Sequence, residues 1–146
     1  MIARTLLTLL AVTQAMPGLW ALLARVAFFD HFPLGGVGWV ALLPPYNEHL
    51  VRDAGAGMLA LAVALALAAW WLDRRVVIVA VIAFLVFVVP HTVFHSLHLA
   101  HFPLADAVAQ QVGLILEIVL GVAVLVLVAR DRGTARTRDA LSPRSP

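Results

Sequence analysis

The chain contains no cysteine. That excludes disulfides, a thiolate metal site and a cysteine nucleophile, and it removes redox chemistry as a guide to compartment. Lysine is also absent, so all ten basic residues are arginine. Charged residues make up only 12% of the 146 residues, whereas 63% are hydrophobic and the mean hydropathy is +1.00. A soluble domain of this size has too little interior to hide so much apolar surface. A bilayer is the solvent that suits it.

The net charge of +2 and the pI near 10.4 do not describe a nucleic-acid-binding face. Arg4, Arg74, Arg75, Arg130, Arg132, Arg136, Arg138 and Arg144 flank hydrophobic runs, a pattern of membrane topology. No HExxH, Walker A, GxGxxG or GxSxG pattern occurs, and no internal repeat is visible. The separated histidine boxes of membrane desaturases and hydroxylases are missing. So is the cysteine pair of four-helix vitamin K epoxide reductases.

Four hydrophobic runs are present, over 5–29, 54–72, 76–99 and 105–129. Each matches the roughly 20 residues needed to cross a core about 30 Å thick. Only helices satisfy every backbone group within one such segment. The expected fold is therefore an all-α four-transmembrane-helix bundle over 1–132, with a disordered tail over 133–146. Pro17-Gly18 should kink the first helix and Pro90 should break the third. Arg4 followed by LLTLLAV imitates a short secretory signal, but the apolar run continues and reads as an uncleaved helix. Alternation of four spans puts eight of the ten arginines on one side. That side is the cytoplasm, with both termini, in the plasma membrane. Trp70 and Trp71 then mark the inner interface, and Trp39 and Tyr46 the outer one. The link from Asp30 to Tyr46, rich in glycine and proline, is an outer loop and a candidate cap on the bundle mouth.

All six histidines fall at the outer ends of helices in this topology. In PHTVFHSLHLAH, His91 lies about 23 Å from Val76 along the helix, within the outer leaflet. His91, His95 and His98 stand at about 0°, 40° and −20° on the helical wheel and share one stripe, from which His101 drifts away. Asn47 is the expected cap of the second helix, with Glu48 in its first turn. The four-residue spacings Glu48–Arg52 and His49–Asp53 make intrahelical pairs. Asp106, Gln110, Gly113 and Glu117 form a second polar stripe, on the fourth helix. Glu117 lies near the midplane, where a carboxylate is costly and marks a functional site by default. Gln14 lies at a similar depth, sharing a face with Gly18 and Arg25, and Arg25 is placed to reach Asp106 or Glu117 or to snorkel outward. The small residues Gly55, Gly57, Ala60, Ala62 and Ala64 suit close helix packing.

These residues point to an outer-leaflet pocket. His49, Asp53, His91, His95 and His98 are candidate ligands of a transition metal or haem. Glu48, Arg52, Asp106, Gln110 and Glu117 are its further polar lining. Two alternatives remain open at this point: a structural latch in a partner-binding membrane subunit, and proton-coupled transport of a small solute by a homo-oligomer. The segments PYNEHLVRDAGA and PHTVFHSLH resemble a group of small bacterial four-helix membrane proteins patterned PYNEHLxRDxGA and PHxxxHxxH, similar to DoxX-like proteins in architecture alone. The resemblance implies that Tyr46, Asn47, Glu48, His49, Arg52, Asp53, His91, His95 and His98 belong to one site. It implies no substrate.

Overall fold

The computed structural model describes residues 1–33, 38–43 and 45–141, with side chains through residue 130. Every regular element among the described residues is helical. Helix α1 spans Ile2–Leu23, α2 Arg25–His31, α3 Glu48–Trp71, α4 Arg74–Leu97 and α5 Leu104–Leu141, with a single 3-10 turn at Leu99–His101. Four of them, α1, α3, α4 and the stretch Leu104–Arg130 of α5, are long and apolar enough to cross a membrane. The tail read as disordered over 133–146 instead continues α5 through Leu141, while residues 142–146 lie outside the described residues, as do Leu34–Val37 and Pro44 of the outer link.

Local chemistry sets several boundaries. Asn47 caps α3, its Oδ1 accepting a hydrogen bond from the Leu50 amide at 3.2 Å. Asp73 caps α4 by accepting from the amides of Arg75 and Val76. Between them, Leu72 closes α3 in the left-handed region at φ 53. That conformation lets α3 turn back into α4 through two residues. Pro17 lies inside α1. Helix α1 runs through it from Ile2 to Leu23 and is interrupted at Ala24, with φ −138 and ψ 56. Proline removes a single donor, the one Thr13 O would have used. Pro90 likewise lies inside α4, which continues unbroken to Leu97.

The four long helices alternate in direction. The pairing of α1 with α3 is the tightest, because two glycines meet at the crossing. A Cβ on Gly18 would lie 3.0 Å from Gly55 O and from the Leu59 amide, and a Cβ on Gly55 would lie 2.9 Å from the Ala21 Cβ. Of the other small residues expected to pack, Ala62 is buried, whereas Gly57 and Ala60 face outward.

The interior is asymmetric along the bundle axis. Toward the Met1 end, Leu7, Leu10, Leu65, Val77, Val81, Phe84, Val88 and Val124 form one apolar cluster. At the opposite end, Ala21, Phe28 and Val51 form a smaller one, backed by Trp20, Phe29, Phe32 and Val40 of α1, α2 and the link. The polar residues of α4 and α5 occupy the remaining interior on that opposite side.

A polar file from the bundle mouth to Glu117

Two i,i+4 pairs form on α3 as its spacing requires. Arg52 donates to Glu48 Oε1 from Nε and Nη2, both at 2.9 Å. His49 Nε2 stands 3.3 Å from Asp53 Oδ2, with both side chains largely exposed. Arg25 does not reach Asp106 or Glu117. The break at Ala24 starts a new helix, and from its first residue Arg25 Nε contacts Glu48 Oε1 at 2.9 Å. Glu48 therefore sits between two guanidiniums and ties α2 to the start of α3. Tyr46 packs edge-on against Phe29 at the same end.

The histidines of α4 keep to one stripe. His91 stacks on Phe87 and meets His95 edge-on, their centroids 4.5 Å apart. His98 stacks on Phe94 at 4.1 Å, and its Nδ1 donates to Phe94 O at 2.7 Å. His101 Nδ1 lies 3.1 Å from His98 O. These aromatic and backbone contacts hold the rings in place. Among the described residues, no three His, Cys, Asp or Glu side chains are grouped so as to hold a metal ion. The candidate ligands His49 and Asp53 remain a pair on α3, and His91, His95 and His98 a stripe on α4.

A further series of contacts between elements runs along α5. At the mouth, Trp39 of the link donates from Nε1 to Asp106 Oδ1 at 3.2 Å. One turn deeper, Gln110 is 5% exposed and faces His95. Beside it, Ser96 Oγ lies 2.7 Å from Thr92 O and 3.0 Å from Gln111 Oε1. A half-turn of the Gln111 amide would let Nε2 donate to Ser96 while the hydroxyl serves Thr92. Two turns further, Gln14 Nε2 donates to both oxygens of Glu117, at 3.2 and 3.3 Å. Gln14 is 4% exposed. Between Gln110 and Glu117, Gly113 is exposed, and a Cβ there would meet nothing within 4 Å.

No protein-family model, curated protein or solved structure matches this chain. The site must be read from its own atoms.

Those atoms are unusual in one respect. Gln14 Oε1, His95 Nδ1, Gln110 Oε1 and Gln111 Nε2 are buried without a hydrogen-bond partner. Leaving a buried polar atom unpaired costs about 1–3 kcal/mol. The four come from α1, α4 and α5, and a half-turn of the Gln111 amide gives its Nε2 a partner in Ser96. The sequence revealed the depth of Gln14 but not its partnership with Glu117, and it gave no sign of the Ser96–Gln111 or Trp39–Asp106 contacts. The only available signal was the doubled glutamine at 110 and 111.

Proposed function

We propose that the protein is a proton-handling plasma-membrane protein in which Glu117 takes up and releases a proton from the outer side. In this reading four helices cross the bilayer with both termini in the cytoplasm, as the arginine bias favours. The observation that carries the proposal is the Gln14–Glu117 pair, an amide and a carboxyl facing each other deep between two spans. The amide suits both forms of the carboxyl. Ionised, Glu117 accepts from Nε2 through both oxygens. Protonated, it keeps one of those bonds and donates its own O–H to Gln14 Oε1, which now lacks a partner. A proton can therefore come and go without stranding either side chain.

The order Asp106, Gln110, His95 and Glu117 from the mouth inward supports a route from that end. Ionisable groups inside spans are characteristic of proton relays and ion pathways. The apolar cluster on the Met1 side closes the route in this conformation. Passage to the far side thus requires that half to repack, which is carrier-like rather than channel-like behaviour.

Liposomes with an entrapped pH indicator and an imposed proton gradient test this. Vesicles holding the wild-type protein should lose the gradient faster than empty ones, and Glu117→Gln should restore the empty-vesicle rate. Equal rates for wild-type and empty vesicles, or an undiminished rate in Glu117→Gln, would refute the proposal.

A further inference from the structure

A groove of about 680 Å³ runs between α1 and α3, on the Met1 half of the bundle and separate from the polar file. On α1 it follows Arg4, Thr8, Ala11 and Ala15, and on α3 Leu59, Ala62, Ala66 and Trp70. These are residues one turn apart on each helix, so the groove lies parallel to both axes. Small side chains hollow it out. Arg4 and Ala15, and equally Leu59 and Trp70, are 11 positions apart, or about 16 Å along each helix. Half of a hydrocarbon core about 30 Å thick is about 15 Å. The groove therefore has the length of one leaflet, and it ends at an arginine and a tryptophan, the residue types that sit at headgroup depth.

Arg4 is fixed there. Its Nε donates to Ala69 O at 3.1 Å, on the last turn of α3. A guanidinium held by one nitrogen keeps its remaining donors for a phosphate, which it binds in a forked geometry. Trp70 stands beside it, 78% exposed.

We infer that this groove is a phospholipid-binding site, taking one acyl chain along its alanine-lined floor and the lipid phosphate at Arg4. Three features select this occupant. The groove is apolar along its length, it carries a positive charge at one end only, and it spans one leaflet. A partner helix would need a surface extending beyond the midplane, where the groove stops.

The test is native mass spectrometry of delipidated full-length protein titrated with a phosphatidylglycerol carrying two long acyl chains. One tightly held lipid per chain is expected before weaker binding begins. Ala66→Phe fills the groove from an exposed position and should abolish that first binding event. Arg4→Gln should weaken it about tenfold, the loss of one charge-assisted contact. Val119→Phe, on the outward face of α5, should leave it unchanged. Wild-type occupancy in Ala66→Phe would overturn the site. Wild-type affinity in Arg4→Gln would overturn the placement of the phosphate. Circular dichroism of each variant guards against misfolding, and if Ala66→Phe is not helical, Val63→Phe in the same groove takes its place.

Discussion

Replacing Gly55 with leucine is expected to lower the stability of the bundle by about 3 kcal/mol or more, at or beyond the upper end of the cost of overpacking. The reason lies in what surrounds the missing side chain. A Cβ at Gly55 would sit 2.9 Å from the Ala21 Cβ and 3.0 Å from Gly18 O. One of these contacts is backbone and cannot rotate away. The same holds from the other side, where a Cβ on Gly18 meets Gly55 O and the Leu59 amide at 3.0 Å. The substitution therefore forces α1 and α3 apart along the tightest seam of the molecule. In lipid that seam is held chiefly by close packing, since the surrounding chains are as apolar as the helices. Gly57→Leu is the matched control, because a Cβ there meets nothing within 4 Å. Thermal unfolding in detergent, followed by circular dichroism, should show a large drop for Gly55→Leu and almost none for Gly57→Leu. Similar drops for both would mean that the α1–α3 contact contributes little.

The second large effect concerns Gln14. Gln14→Leu removes the amide that donates to both oxygens of Glu117 and leaves the carboxyl with Thr13 beside it, at a cost of about 1–3 kcal/mol. Glu117→Leu strands the Gln14 amide in the same way. The double variant Gln14→Leu with Glu117→Leu removes both halves at once. Replacing both partners by apolar groups of similar shape is close to neutral. Its thermal midpoint should therefore recover toward the wild type and exceed that of either single variant. This non-additivity is the signature of a direct pair. The double variant has a further use: it should fold well yet move no protons, separating stability from function. Additive losses would mean that the two side chains do not meet.

The Arg25–Glu48–Arg52 cluster and the Trp39–Asp106 bond have a plainer role. They tie α2 and the link over the mouth, as a structural latch would. They lie in the half of the bundle away from the main apolar cluster, so they order the outer end where side-chain packing is thin. These ion pairs are solvent-exposed and screened by water, so they add little to stability.

Features governed by neighbours in sequence were legible before the structure. The four long helices follow from runs of apolar residues, and the Asn47 cap from its place ahead of Glu48. The Glu48–Arg52 and His49–Asp53 pairs follow from a spacing of four. Pro90 misled because proline looks like a breaker, although α4 loses only one hydrogen bond there and carries on to Leu97. Ala24 ends α1 with no local signature at all, since alanine is an excellent helix former. The interruption belongs to tertiary structure: it frees Arg25 to meet Glu48 across the helix pair.

The contacts that build the candidate site were illegible for a related reason. Helical spacing fixes the depth of Gln14 and Glu117, but not the rotation of α1 against α5. Two residues at one depth can face each other or face opposite ways. Only packing decides, and here it turned Gln14 inward. The histidine stripe is the converse case. Its spacing places His91 and His95 on one face of α4, with His98 just past the helix end, but spacing says nothing about which side chains of other helices come within reach. Gln110 of α5, not an acidic ligand, is what faces His95.

The most direct measurement is infrared difference spectroscopy of the reconstituted protein as pH is changed. A carboxylic acid carries a C=O stretching band that a carboxylate lacks, and a buried acid gives a band distinct from those in water. If Glu117 gains and loses a proton opposite Gln14, this band should rise and fall reversibly with pH, shift in Gln14→Leu and vanish in Glu117→Gln. A spectrum in which no carboxyl band depends on Glu117 would contradict the account.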